Sequence, residues 1–231
     1  MLIYRSRHLV AVICSFVAAE AKADELQAKV LHAIRASQSD AYSFQRTLAF
    51  ERTGSARKVL MERYDPRRPV NQRWSLISVG GHPPSSKEVE QSQKSRKGPT
   101  PSYHELAEWF GAPAVRSDAV SGYVTYHFSR LPASVMKIGS HDASADTQAE
   151  ALVNIKGKIP FVERVRFTSA KGFRMMMVAS VQSIDFSARY AQFANGAVVP
   201  ATSASTIKGS MLGKSGQMTT TVTFASFEIA R

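Results

Sequence analysis

Side chains that alternate in polarity every second residue dominate this chain, and that period restricts it to a fold built on sheet. Val124, Tyr126 and Phe128 alternate with Thr125, His127 and Ser129, and Phe44, Leu48 and Phe50 with Gln45, Thr47 and Glu51. A strand places successive side chains on opposite faces, so each run has one face for a core and one for solvent. Lys58–Tyr64 returns beyond the Thr53-Gly54-Ser55 turn as a hairpin partner, and Trp74–Val79 follows the break at Asp65-Pro66-Arg67-Arg68-Pro69. Phe161, Val165 and Phe167 line another run, and Phe173 to Val181 is apolar on both faces. Ile184 to Phe193 and Ala197 to Thr206 flank Asn195-Gly196, a two-residue hairpin signal. Lys214-Ser215-Gly216-Gln217 reads as a turn into a last strand, Met218 to Ile229.

Helical period is confined to short stretches. Leu26, Val30, Leu31 and Ile34 share one face of a helix that Asp24 can cap. Ser85 and Glu88 have capping-box spacing, as do Ser102 and Glu105, the latter ahead of Leu106, Trp109, Phe110 and a stop at Gly111. These elements sit in a polar, helical insertion over residues 80–113, and no longer period repeats. The expected class is α+β: one large antiparallel sheet with helices against one face.

Residues 1–23 read as a secretory signal peptide, with a basic start at Arg5 and Arg7, an apolar run over Leu9–Ala19 and Ala21-Lys22-Ala23 as the cleavage site. The apolar run is too short to span a bilayer, which takes about 20 residues. The domain is then 24–231, located in a periplasm. The 30 basic and 18 acidic side chains give the chain +12. The signal's three basic groups and one acid account for two of those units, leaving +10. Such charge favours anionic membrane surfaces and envelope polymers, whereas export argues against nucleic acid. Cys14 lies inside the signal, so the mature chain has no disulfide or cysteine metal site.

No catalytic constellation emerges. Ser140-His141-Asp142 has the residue types of a hydrolytic triad, but sequence neighbours diverge where a triad must converge. His141, Asp142 and Asp146 lie in loop composition without metal-ligand spacing. Gly209 to Ser215 ends in G-K-S but lacks the first glycine of a phosphate-binding loop. Neither enzyme activity, metal nor cofactor is expected. What stands out is the surplus of large, soft apolar groups on strands, Met175-Met176-Met177 among them, which can fill a core or line a cavity.

The order helix, strands, helical insertion, strands, with Arg68-Pro69 four residues ahead of Trp74 and the Thr219–Phe227 ending, resembles the LolA/LolB-type family of periplasmic lipoprotein-localisation factors. Asp65-Pro66, Trp74, Pro83-Pro84, Trp109-Phe110-Gly111 and Gly139 to Asp146 resemble more closely an uncharacterised group of exported proteobacterial proteins. The resemblance implies a strongly curved antiparallel sheet, an incomplete barrel with helices covering its concave face, enclosing a hydrophobic cavity for acyl chains, with Arg68 matching the arginine that holds the lid. The expected lining is Phe44, Leu48, Phe50, Leu60, Trp74, Tyr126, Phe128, Phe167, Met175, Met177, Val222 and Phe224. The expected ligand is a lipid, an acylated protein or another hydrophobic molecule, with an inner- or outer-membrane protein as partner. The alternative is an envelope interaction protein with a filled core, binding a protein or an anionic polymer through Arg63–Arg73 and Lys87–Lys97.

Overall fold

Thirteen strands, two α-helices and three short 3-10 turns make up the computed structural model, which describes residues 24–37, 42–95, 102–139, 141–169, 171–176 and 179–230. The signal region, Ser140, Met177 and residues 96–101 lie outside the described residues. The strands are β1 (Tyr42–Arg52), β2 (Lys58–Tyr64), β3 (Trp74–Val79), β4 (Val115–Val120), β5 (Tyr123–Phe128), β6 (Lys137–Ile138), β7 (His141–Asp142), β8 (Thr147–Asn154), β9 (Phe161–Ser169), β10 (Phe173–Met176), β11 (Ala179–Gln192), β12 (Val198–Met211) and β13 (Lys214–Ile229). Eleven of them form one antiparallel sheet in the order β3-β2-β1-β13-β12-β11-β9-β8-β5-β4, with β10 also on β11. The sheet does not close: β3 and β4 are its two edges. Register shifts at Ser43/Gln45, Met61/Glu62, Leu152/Val153, Val181/Ser183 and Arg189/Tyr190 add the twist that bends it.

Helix α1 (Glu25–Ala36) forms because Asp24 accepts a hydrogen bond from the Leu26 N–H at 2.9 Å, and because its apolar stripe finds a core: Val30 and Ile34 are fully buried. It packs on β9 and on the 3-10 turn Tyr103–Glu108. That turn is pinned by Tyr103, whose hydroxyl accepts the Val162 N–H at 2.8 Å. Together they bury Trp109 and Phe110 against Tyr126, Phe128 and Phe167, with ring centroids 5.0 to 6.0 Å apart. Helix α2 (Ser86–Ser95) packs on edge strand β3. Its predicted capping box is present, with the Ser85 N–H and hydroxyl both donating to Glu88 Oε2 at 2.8 Å. No helix among the described residues is long and apolar enough to cross a membrane.

Two local expectations are corrected. Ser102 makes no side-chain cap, and the segment after it is a six-residue 3-10 turn rather than an α-helix ending at Gly111, because Trp109 and Phe110 are drawn into the core immediately behind it. The last hairpin turns at Leu212-Gly213, not at Lys214–Gln217; Gly213 has φ +77° and Leu212 +50°, and Lys214 already pairs with Met211.

Candidate functional site

Directly opposed residues in an antiparallel sheet share a face, so the register shows which side chains stand together. One row crosses the sheet as Phe128, Ala149, Phe167, Phe186, Ser205, Thr220, Phe50 and Lys58. The next runs Tyr126, Ala151, Val165, Ala188, Ser203, Val222, Leu48, Leu60 and Val79. A third carries Phe44, Tyr64 and Trp74 on one side of the sheet. These rows form the inner face, where α1 and the Tyr103 turn lie.

The inner face does not hold one continuous core. Tyr126, Phe128 and Phe167 belong to a large cluster with Val30, Ile34, Leu106, Trp109 and Phe110. Phe44 and Phe224 belong to a second cluster with Tyr64, Trp74, Val222 and Phe227. Phe44 sits at its centre, its ring within 5.7 Å of Tyr64, Trp74, Phe224 and Phe227. Phe224 and Phe227, three apart, both reach it because Ser226 is an extra residue at φ +55°, which restores the strand's facing after the bulge. Of the expected lining, Leu48, Phe50 and Leu60 belong to neither cluster and are half-buried, as is Val222 at the edge of the second. Met175 lies on β10, and Met177 falls outside the described residues.

The separation has a cause in the sequence. Between Ala201 and Thr206, β12 carries only alanine, threonine and serine, and Ser203 and Ser205 are its contribution to the two long rows. Small side chains there set a shallow band between Phe186 and Ala188 on β11 and Val222, Leu48 and Phe50 on β13 and β1. Strands lie about 4.8 Å apart, so the β11 and β1 walls are about 14 Å apart at the backbone. Among the described helices none packs on β13 or β1 with more than marginal contact.

Charge is kept at one side of this band. Arg46 and Glu62, both on the inner face, pair at 2.7 Å, with side chains 16% and 6% exposed, and the Arg46 guanidinium lies 3.8 Å over the Trp74 ring. Ser92 of α2 donates to Glu62 Oε1 at 3.5 Å, which ties α2 over β2 and β3. Beneath it a cleft of about 380 Å³ is lined by Trp74, Leu76, Val89 and Arg68. Arg68 is exposed and donates to Ser75 Oγ at 3.3 Å. A second cleft, of about 400 Å³, opens between the end of α1 and the loops 155–160 and 193–197.

The other chemical candidates resolve into loop structure. The Asp142 carboxylate accepts from the Ser144 hydroxyl and N–H and from the Ser134 N–H, which hold it below the usual carboxylate range. His141 stacks on Phe173 at 4.0 Å, and its Nε2 is buried without a hydrogen-bond partner. Among the described residues no group of three His, Cys, Asp or Glu side chains is arranged to hold a metal ion. Gly209 to Ser215 is a strand-turn-strand hairpin tip, with no helix behind it to receive a phosphate.

No family model matches the chain, and no curated protein matches it. Two solved structures are similar to it. One is a LolA superfamily protein from Nitrosomonas europaea, 13% identical, covering 90% of this chain and 93% of that one at a TM-score of 0.37. The other is a DUF1329 family protein from Desulfovibrio piger, 8% identical, covering 88% of this chain and 90% of that one at a TM-score of 0.35.

Proposed function

We propose that the protein binds a lipid, or the acyl chains of an acylated protein, in the groove between its two apolar clusters, and carries it through the periplasm without chemical change. The observation that supports this reading is the change in packing along single registered rows. The row through Tyr126, Ala151 and Val165 is sealed by α1, and its continuation through Ser203, Val222, Leu48 and Leu60 is half-open. Partly buried Leu, Val and Phe on an inner face gain about 0.8 kcal/mol for each ligand methylene they take from water. The floor of small residues supplies the width an acyl chain needs. Arg68, which lines the cleft beneath α2, governs access at that edge in this reading. The periplasmic location rests on the N-terminal signal reading.

The test is mass spectrometry of an organic extract of the mature protein, purified without detergent, beside two groove variants. The wild-type protein is expected to carry stoichiometric phospholipid or fatty acid. Ser205→Phe fills the groove from its floor and is expected to abolish that cargo with the melting temperature unchanged or raised. Val222→Glu is expected to abolish it by placing a charge in the wall. A clean wild-type extract with no uptake of a fluorescent fatty acid sinks the carrier reading, and so does undiminished cargo in Ser205→Phe.

A further inference from the structure

We propose that the end of the sheet formed by loops 155–160 and 193–197 and the last residues of β13 is a docking rim for an anionic lipid bilayer. Ile155, Ile159, Phe193 and Ile229 project there 39%, 50%, 36% and 53% exposed. They are linked rather than scattered. Ile159 Cδ1 lies 3.4 Å from the place a side chain on Gly196 would start, the Phe193 ring stands 5.7 Å from Tyr42, and Tyr42 pairs with Ile229. Exposed apolar groups gathered at one end of a molecule mark a contact surface more often than isolated ones do.

The chemistry of the tip selects the partner. Ile155-Lys156-Gly157-Lys158-Ile159 is exposed at every position. A hairpin tip that only had to be soluble has no use for two isoleucines. Two isoleucines set around two lysines offer side chains to the acyl boundary and ammonium groups to the phosphates above it. Lys156 keeps its stem across the neighbouring turn and its Nζ 4.3 Å from the Tyr123 ring, beside the same surface. The cleft of about 400 Å³ opens on this rim, with Ile159 and Gly196 among its lining. The opposite end of the sheet also exposes Met211 and Leu212, but on the tip of a single hairpin. Docking at the rim does not require the groove to hold a ligand, so the two proposals fail separately.

Flotation of the full mature chain with vesicles tests the rim. Equimolar phosphatidylglycerol and phosphatidylcholine vesicles are expected to carry the protein up the gradient at low salt, and pure phosphatidylcholine vesicles are not. The double variant I159D/F193D is expected to partition at least about tenfold less. K156E/K158E is expected to lose roughly fivefold or more for each lysine, and the wild-type partition to fall as salt is raised. M211D/L212D, at the other end, is expected to float as the wild type does. Wild-type protein that stays at the bottom with anionic vesicles overturns the proposal and leaves the tips to a protein partner. Undiminished flotation of I159D/F193D overturns it too, as does a loss in M211D/L212D as large as in the rim variants. Cargo found in the organic extract of K156E/K158E shows that the groove still works when the rim does not.

Discussion

At the scale of single residues, Asp24 ties helix α1 to strands β4 and β5. It caps α1, and its carboxylate also accepts from the Tyr126 hydroxyl at 2.9 Å and from Arg116 Nη1 at 3.0 Å. Partial burial works to raise the carboxyl's pKa, but the bonds from Arg116, Leu26 and Tyr126 outweigh it and hold the group below its ordinary value. A carboxyl depressed in the folded state adds stability that is present above the unfolded pKa, near 3.9, and is lost as pH falls through the lower folded value. Asp24→Asn is therefore expected to flatten the acid limb of a urea-midpoint-against-pH curve below about pH 4. Asp24→Ala, which also removes the cap, is expected to cost about 2 kcal/mol at neutral pH. Gly209 is a second sensitive position for a different reason. A Cβ there would stand 2.3 Å from the Ser180 carbonyl oxygen, beside the Val181/Ser183 bulge. Gly209→Ala is expected to lower stability by about 2–4 kcal/mol in chemical denaturation, because backbone rather than a flexible side chain must move.

At the scale of elements, alternation made most strands legible, and β2 and β3 fall where the sequence placed them. Helix α1 was legible too, since its cap and its stripe agree. Ile34→Ala in that stripe is expected to cost about 3 kcal/mol by urea unfolding, in line with a fully buried branched side chain whose loss leaves a cavity. Other features left no local signal. The Ser102 capping box forms only in half, with Glu105 accepting from the Ser102 N–H while the Ser102 hydroxyl caps nothing, because Trp109 and Phe110 gain more from the core than the segment gains from another helical turn. The expected lining lies on one face, Met175 and Met177 apart, but its division into two clusters depends on which strands are neighbours. That is a non-local matter: β1, from the start of the chain, pairs with β13 from its end. The small residues of β12 read as an ordinary strand until register places Ser203 and Ser205 in the middle of the two rows. The Ile155–Ile159 tip carried a signal of its own, isoleucine where a turn favours polar residues, yet it becomes a surface only beside Phe193 and Ile229.

At the scale of the whole molecule, charge and packing are distributed unevenly. The outer face carries short polar pairs between neighbouring strands, such as the ion pair of Arg166 with Asp185 at 2.7 Å and the contact of His127 Nδ1 with Glu150 at 3.2 Å. Such exposed pairs contribute little to stability, so raising the salt is expected to leave the melting temperature nearly unchanged while it weakens vesicle binding. The two clusters differ in size, and native-state hydrogen exchange is expected to show it. Amides of β8 and β9, backed by α1, should outlast those of β2 and β3, and equal protection across the sheet would contradict the division.

The band of serine, threonine and alanine along β12 has a mechanical consequence. A sheet is stiff where interlocked side chains resist a change in its bend, and yields where nothing on its inner face is compressed or pulled apart. On that argument this open sheet bends most easily along β12, between its two side-chain clusters. Small changes of twist there alter the gap between the clusters while every ladder hydrogen bond stays intact. On the proposed carrier reading, a band that bends in this way fits its width to the guest, slender or stout, with the same strands and the same rows of side chains.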